Sequence, residues 1–255
     1  MGEKNMKVLL AGESFITTES HTKGFDYATL GRYEEVGAPF VKTLEDLGME
    51  VKWYPNHLAQ LYFPETVEEL KEYDVVILSD ITSNTLLLHP DMMFKWQPRG
   101  NRLEAIKEYV LQGGGLLMIG GYMSYCGLNG CARYGMTPLK DVLPVTIMKY
   151  DDRIDTPQGV SPSIVMPEHP IMNGIEEPWP RYLGFSYIED RENTDVVVRM
   201  PGDSVGLACG RYGKGRAVAT AFDALPHWAL PEVLEWKCYN QLWKNIIDWA
   251  AGTIG

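Results

Sequence analysis

The sequence has few cysteines, no cluster of basic residues and no long apolar run. Four cysteines in 255 residues are too few for a disulfide framework, so we expect reduced thiols. Because binding to a phosphate backbone depends on clustered Lys and Arg, a formal net charge of -11 argues against a nucleic-acid partner. No run approaches the roughly 20 apolar residues that span a bilayer, and no signal-peptide pattern is found. We therefore expect no membrane partner and a cytoplasmic location.

The sequence also has little that would hold a metal or a nucleotide. Its five histidines form no HExxH pair, and the cysteines lack a second pair at CxxC spacing. One ion held jointly by His21, Glu13, Asp80, Asp223 and His227 is an alternative, because these residues follow separate predicted strands or lie in the first long loop. No local motif supports that alternative, so we assign no metal and no cofactor. The glycine-rich runs form neither GxGxxG nor a P-loop, which makes a nucleotide site a weak interpretation.

The centre of the predicted fold is an apolar run that ends abruptly in glycines. Residues 116–119 are Leu, Leu, Met and Ile, and glycines on both sides favour a short buried strand over a helix. Further strands are predicted at residues 6–12, 49–54 and 74–80, and helices at residues 38–47, after the cap residue Asn101, and at 232–250. This alternation predicts an α/β fold with a doubly wound, mostly parallel sheet. No linker divides the chain, so we expect one domain over residues 1–255.

Two segments show no period that would predict a helix or a strand. Residues 15–37 mix polar, charged and aromatic side chains and predict a long loop, which is either functional or an ordinary surface excursion. Residues 151–160 are polar and contain proline, and they predict a second loop.

Polar and reactive side chains follow the predicted strands at one edge of the sheet, where ligands bind in open α/β sheets. A strand that turns tightly through glycines is also the setting of a nucleophile elbow, but the residue at that position is Tyr122. Ser124 and Cys126 lie close behind, with His227 as a candidate base and Asp223 as its orienting carboxylate. The catalytic candidates are Cys126, His227, Asp223, Tyr122 and Ser124. The ligand-binding candidates are Glu13, Ser14, His21, Asp80, Asn84, Gly121 and Trp228. The alternative is that Cys126 is a small buried apolar residue and His227 a hydrogen-bonded edge residue.

Residues 113–124, the Gly-Lys-Gly-Arg run at 213–216, and Asp223 with Pro226, His227 and Trp228 resemble a known family. The chain is similar over nearly its whole length to the putative glutamine amidotransferase family of the class I glutamine amidotransferase-like superfamily, relatives of the trehalose-utilisation proteins. The resemblance implies a three-layer αβα sandwich with a flavodoxin-like sheet. It also implies an elbow Cys with a His and a Glu after a late strand, whereas this sequence has Tyr122 at the elbow and Asp223 and His227 in the late segment.

Two functions are compatible with these residues. The first is an enzyme that acts on a small polar metabolite, an amide or a carbohydrate derivative, at the strand ends. The second is a non-catalytic protein that binds a small molecule or acts in assembly and retains the fold. Aromatic-rich segments around Trp96 and Trp179 would suit a subunit interface, so we expect a homo-oligomer.

Overall fold

The computed structural model describes residues 5–255. The strands are β1 Lys7–Gly12, β2 Ser14–Lys23, β3 Asp26–Glu35, β4 Glu50–Tyr54, β5 Val75–Ser79, β6 Gly115–Ile119, β7 Thr146–Ile147, β8 Arg153–Val160, β9 Ser163–Ile164, β10 Tyr182–Ser186, β11 Ile188–Glu189, β12 Asp195–Arg199, β13 Val205–Tyr212 and β14 Gly215–Thr220. The helices are α1 Ala38–Asp46, α2 Asn56–Tyr62, α3 Val67–Leu70, α4 Ser83–Leu87, α5 Pro90–Lys95, α6 Arg102–Leu111 and α7 Tyr239–Ala250.

An eight-stranded sheet with the order β4-β1-β5-β6-β14-β13-β12-β9 forms the centre of the structure. The five strands from β4 to β14 run parallel, and the remaining three are antiparallel additions at one edge. The parallel part has the flavodoxin-like order, in which the first strand lies between the second and the third. Strands β5 and β6 are buried at every residue, which explains their continuous apolar sequences. The predicted α/β fold is confirmed.

Helices cover both faces of this sheet. The chain passes from β1 through α1 to β4, and then reverses direction to reach β5 and β6. Because such crossovers are right-handed, the reversal places α1 on one face and the helices between β4 and β6 on the other. Helix α7 lies on the same face as α1, because the rings of Phe40 and Trp243 pack edge to face with centroids 5.1 Å apart. The result is the three-layer sandwich.

The reversal makes a crevice between the carboxyl ends of β1 and β5. Gly12 ends β1 with φ +120°, and a Cβ atom there would lie 1.7 Å from the carbonyl oxygen of Ser79. Only glycine therefore allows the two strand ends to approach this closely. Ligands in open α/β sheets bind at such a switch point, so the crevice is the first place to look for a functional site.

Several elements differ from the predictions. Residues 15–37 are not a loop: β2 and β3 form a ten-pair antiparallel hairpin, which we call the arm. Residues 153–160 form β8, which pairs with β10. The last helix begins at Tyr239, because residues 231–235 form a separate 3-10 turn that starts at Pro231. Trp96 is exposed as an interface would require, whereas Trp179 is buried against Phe222 and Trp236.

Within residues 5–255, no helix combines the length and the apolar character needed to cross a bilayer.

Candidate active site

Four titratable side chains meet at the crevice. Glu13 directly follows β1, Asp80 directly follows β5, and Asp223 and His227 follow β14. Asp223 Oδ2 lies 3.6 Å and Asp80 Oδ2 3.8 Å from the Nδ1 atom of His227. The structure thus brings together four of the residues that the sequence analysis selected, and we call them the acid cluster.

Glu13 is the most deeply buried member of the acid cluster. Its backbone has φ +58°, and its carbonyl oxygen accepts the N–H groups of Val36 and Gly37 at 3.0 and 3.1 Å. The Ser79 hydroxyl donates to Glu13 Oε1, while Oε2 is buried without a hydrogen-bond partner. Burial, and then the negative charges of Asp223 and Asp80, raise the pKa of Glu13 well above its usual value. Glu13 therefore holds its proton at a higher pH than an exposed glutamate.

Asp80 also has a left-handed backbone, with φ +44°, and it faces the turn after β6. Its Oδ1 accepts the N–H of Met123 at 2.6 Å. Gly121 makes this approach possible, because a Cβ atom there would lie 2.9 Å from Asp80 Oδ1. Burial and the charge of Asp223 raise the pKa of Asp80 to about 6, although the Met123 N–H opposes the change. Asp80 is thus mostly ionised at neutral pH.

His227 is held between the two aspartates. Asp223 Oδ1 accepts the N–H of Leu225 at 3.0 Å, and its Oδ2 is left for His227. The separation of 3.6 Å exceeds a hydrogen bond, so the contact is an ion pair. Interaction with Asp223 raises the pKa of His227 to about 9, against the opposing effect of burial and with a smaller contribution from Asp80. At neutral pH His227 is therefore cationic, which suits a proton donor better than the base that the sequence analysis proposed.

Aromatic side chains surround His227. The ring of Phe15, at the base of the arm, stacks on the imidazole with centroids 5.5 Å apart and planes 9° apart. Tyr122 lies 6.2 Å from the imidazole and 4.9 Å from Trp228, measured between ring centroids. The guanidinium of Arg153 lies 5.3 Å from the Tyr122 ring. Flat apolar surfaces of this kind suit the ring of a sugar or another small cyclic ligand.

Ser124 and Cys126 face other groups. The Ser124 hydroxyl donates to the carbonyl of Ile119 at 2.5 Å. The Cys126 N–H donates to Asp152 Oδ2 at 2.8 Å, and burial together with Asp152 raises the pKa of the thiol. Among the described residues neither side chain forms a hydrogen bond with His227. A catalytic role for Ser124 or Cys126 stays a prediction.

Cys126 instead borders a separate cavity of about 410 Å³. The cavity is lined by Cys126, Gly130, Arg133, Gly135, Met136, Ile147, Met148 and Lys149. None of the four acid-cluster residues belongs to this lining.

The other ligand-binding candidates lie at different distances from the acid cluster. Ser14 is fixed by Asn56, whose N–H donates to the Ser14 hydroxyl at 2.8 Å and whose side chain donates to the Ser14 carbonyl. Asn84 lies on α4. His21 lies on the exposed arm, seven residues or about 24 Å along β2 from Ser14, and pairs with Glu19 at 3.6 Å. His21 therefore does not converge with the acid cluster on one ion.

Sequence reasoning placed Ser79 at the same sheet edge as Glu13 but did not select it as a site residue, and it missed Phe15. Ser79 is the last residue of an apolar strand, and its hydroxyl is directed at Glu13 because β1 and β5 are neighbours in register. The residue that Ser79 faces depends on which strands are neighbours, and a single apolar run does not show its neighbours. The sequence analysis assigned Phe15 to a loop. A loop assignment gives no position for a side chain, so the stacking of Phe15 on His227 could not be predicted.

One group of potential metal ligands lies elsewhere. Single ligand atoms of His169, Asp195 and Cys209 lie within 4.8 Å of one another. His169 Nδ1 accepts the N–H of Ile171 at 3.2 Å, so neutral His169 carries its proton on Nε2, the atom 3.4 Å from the Cys209 sulfur. Burial raises the pKa of the Cys209 thiol strongly. Metal ligands must be deprotonated, so this arrangement fits a hydrogen-bonded core group better than a metal site.

A family model described as "Putative glutamine amidotransferase" matches residues 7–252. The chain belongs to this family. No curated protein matches the sequence.

Solved structures support the same fold. "Cytoplasmic Protein STM3548" from Salmonella typhimurium is 39% identical with a TM-score of 0.92, and the match covers 96% of this chain and 99% of that one. "Cytoplasmic Protein STM1381" from Salmonella typhimurium LT2 is 38% identical, with the same coverage and TM-score. A "Putative thua-like protein" from Bacteroides uniformis has a TM-score of 0.60 at 14% identity over 98% of this chain and 93% of that one, which is a likeness of fold alone.

For a glutamine amidotransferase-like chain, the turn after β6 is the expected place of the cysteine. Here the turn presents Tyr122, whose ring packs against Trp228 and His227. The Ser124 hydroxyl donates to the Ile119 carbonyl, and the backbone N–H of Cys126 donates to Asp152. The reactive groups of the crevice are carboxyls and an imidazole.

Proposed function

We propose that this protein is an enzyme that performs acid–base chemistry on a small polar metabolite, an amide or a carbohydrate derivative, in the crevice between β1 and β5. The observation that carries the proposal is the acid cluster, in which a cationic His227 faces two aspartates at 3.6 and 3.8 Å. Titratable groups with strongly shifted pKa values in a cleft are typical of catalytic sites. A cytoplasmic location is part of the proposal.

Exposure separates the four residues into two roles. The side chains of His227 and Asp80 are 27% and 10% exposed, so a ligand can reach them from solvent. Glu13 and Asp223 are buried behind them. We assign His227 and Asp80 as catalytic residues, and Glu13 and Asp223 as positioning residues that set their charge and orientation.

Hydrolysis is the reaction that best uses these charges. Asp80, ionised at neutral pH, takes a proton from water as the water oxygen attacks the substrate carbon. His227 donates its proton to the leaving oxygen or nitrogen as that bond breaks. An amide gives a carboxylic acid and an amine, and a glycoside gives a free sugar and an alcohol. The proton on Asp80 returns to His227 through solvent. The aromatic rings of Phe15 and Tyr122 give the substrate two apolar walls.

A thiol mechanism is less consistent with the geometry. The pKa of Cys126 is raised by burial and by Asp152, which reduces the thiolate that nucleophilic attack needs. Its thiol also borders the separate cavity. We therefore do not assign glutamine hydrolysis through Cys126.

A substrate panel tests the proposal. Purified protein is assayed against glutamine, other primary amides, and glycosides with chromogenic leaving groups, with binding followed by calorimetry. For any substrate found, His227→Gln and Asp80→Asn should each lower kcat by about a hundredfold or more. Matched controls are Cys126→Ala, and His57→Gln outside the acid cluster; both should retain turnover.

Two outcomes contradict the proposal. If Cys126→Ala lost turnover and His227→Gln retained it, the protein would be an enzyme that uses the Cys126 thiol. Binding that depends on the acid cluster, with no turnover of any bound compound, would favour the non-catalytic binding protein.

A further inference from the structure

The arm is an unusual part of this molecule because it packs against almost nothing. Its ten cross-strand pairs run from Ser14 and Glu35 at the base to Lys23 and Asp26 at the tip, a length of about 30 Å. The base is fixed to the body, but every residue from Thr18 to Tyr33 is exposed. Within residues 5–255, β2 and β3 pair only with each other. Each strand therefore keeps one free edge.

An isolated two-stranded hairpin is marginally stable in water. This arm also exposes large apolar side chains, with Phe25 fully exposed at the tip and Ile16 71% exposed near the base. Free strand edges and exposed apolar groups are commonly buried in contacts with another protein surface. The arm thus has the properties of an element that is completed by a partner.

The two faces of the arm differ in charge. Side chains of directly paired residues share a face, and neighbours along a strand alternate. One face, which we call the uncharged face, consists beyond the base of Ile16, Thr18, Ser20, Thr22, Tyr27, Thr29, Gly31 and Tyr33. The opposite, charged face carries Glu19, His21, Lys23, Asp26, Arg32 and Glu34.

Four of the six ionisable side chains on the charged face pair within the arm. Arg32 pairs with Glu34 at 2.9 Å and with Glu19 at 3.4 Å, and His21 lies 3.6 Å from Glu19. The uncharged face has hydroxyl contacts, such as Thr29 to Tyr27 at 2.7 Å, and near the base the ring of Tyr33 packs edge to face on His57 with centroids 4.9 Å apart. The uncharged face, on which Ile16 and Tyr27 are exposed, is therefore the better candidate for contact with a partner.

Charge indicates what this partner is. The chain has a net charge of -11, yet residues 17–32 are formally neutral, with Glu19 and Asp26 balanced by Lys23 and Arg32. A nucleic acid or an anionic lipid surface would require an excess of positive charge, and a basic protein an excess of negative charge. A neutral contact surface instead lets two strongly acidic copies of the same chain meet without repulsion between their contact residues.

Size is consistent with two exchanged arms. The uncharged face and Phe25 together supply nine residues. If each copy also receives its partner's arm, each side contributes roughly twice that number, near the lower end of the about 20–30 residues per side in a standard interface. One arm alone would be too small, so a two-fold exchange is favoured.

We propose that the arm packs its uncharged face against a second copy of this chain, so that the protein assembles through exchanged arms. The proposal is independent of the chemistry at the acid cluster.

Sedimentation and light scattering of the full chain test it. Wild-type protein should be a dimer or a larger closed oligomer at micromolar concentration. Thr29→Lys places a charge on the uncharged face and should weaken association by at least about tenfold, because burying the ammonium group in an uncharged contact is unfavourable. Ala28→Lys is the matched control: it adds the same charge to the next residue of β3, which lies on the charged face. This control should assemble like wild type.

Thr18→Lys on β2 repeats the test from the other strand, in case Thr29→Lys disturbs the hairpin itself. Hydrogen exchange of β2 and β3 amides should show protection in the wild-type oligomer and loss of that protection on dilution. A monomeric wild type, or equal effects of Thr29→Lys and Ala28→Lys, would overturn the proposal. Protection of the arm only after addition of another macromolecule would also overturn it, since the occupant would then be a different molecule.

Discussion

Asp223 and His227 lie four residues apart after β14, and their facing atoms, Oδ2 and Nδ1, are 3.6 Å apart. Burial works against a charged imidazole, so the cation at His227 depends on Asp223. The pair therefore sets the protonation state of the crevice.

Removal of the Asp223 charge should return His227 toward neutral behaviour. In Asp223→Asn, the pKa of His227 should fall from about 9 toward the ordinary histidine value of about 6.5, because burial then opposes the remaining effect of Asp80. Proton–nitrogen NMR of the imidazole as a function of pH measures this change. Asp46→Asn, on the exposed side of α1, is the control and should leave the titration of His227 unaltered. A pKa of His227 below 7 in wild-type protein would contradict the ion pair.

Turnover should have a bell-shaped dependence on pH. Asp80 must be ionised and His227 protonated, so the acid limb should lie near pH 6 and the alkaline limb near pH 9. The rate of hydrolysis across this range, for a substrate from the panel, measures both limbs. Asp223→Asn should move the alkaline limb to lower pH and leave the acid limb in place or lower. A rate that rises continuously above pH 9 would instead indicate a thiolate or another base.

Stability should fall as the pH rises through the range in which His227 loses its proton. Its pKa is raised in the folded chain, so the folded state binds more protons than the unfolded state between about pH 6.5 and 9. The stabilisation is complete below about pH 6.5 and is lost toward pH 9, at a cost of the order of 2 kcal/mol after allowance for solvent screening. Urea unfolding at the two pH values measures it. His227→Gln should lack this part of the loss, whereas His57→Gln should retain it.

The close approach of β1 and β5 should make Gly12 intolerant of substitution. In Gly12→Ala the new Cβ would lie 1.7 Å from a backbone oxygen, and φ +120° is unfavourable for alanine. The free energy of unfolding should fall by about 3 kcal/mol or more. Gly31→Ala on β3 is the control, because its nearest atom would be 3.9 Å away, and it should cost less than about 1 kcal/mol. Chemical denaturation of both variants measures the two changes in the free energy of unfolding.

The cysteines should react in the order of their exposure. Cys131 is exposed, whereas Cys126 is buried and its pKa is raised. Iodoacetamide at pH 8 should therefore modify Cys131 at least about ten times faster than Cys126, as followed by peptide mass spectrometry. Cys131→Ser removes the competing site and isolates the slow reaction. Rapid labelling of Cys126 near pH 7 would show an activated thiol and weaken the acid–base assignment.

The sequence was sufficient for the parallel sheet because its strands are buried on both faces. The apolar runs at β1, β5 and β6 fit few structures other than buried strands. Asn101 begins α6, because its side chain accepts the N–H groups of Leu103 and Glu104 as an N-cap residue does. The rule that polar residues at strand ends converge placed the four acid-cluster residues among twelve site candidates, which also included His21 on the arm. The family-level fold is confirmed by the match over residues 7–252.

Other features depended on information that residue type does not carry. The arm has no apolar period, because its strands are exposed on both faces and its β-forming residues are mainly Thr and Tyr. The direction of Cys126 depends on the backbone at Tyr125, where φ +51° turns the chain and the following N–H groups meet Asp152. A positive φ angle at one non-glycine residue cannot be predicted from the sequence. The roles within the acid cluster likewise depend on burial, which fixes which acid keeps its proton.

The arm carries a phenylalanine at each end, and the two rings can serve as independent reporters. Phe15 lies on the imidazole of His227, while Phe25 lies about 30 Å away in solvent. The carbonyl of Glu13 and the side chain of Asn56 clamp the base between them, so motion of the tip need not disturb the crevice. A fluorine label at position 25 would then register contact with another molecule, and one at position 15 would register occupancy of the crevice. Simultaneous changes at both labels would measure how strongly the two ends communicate.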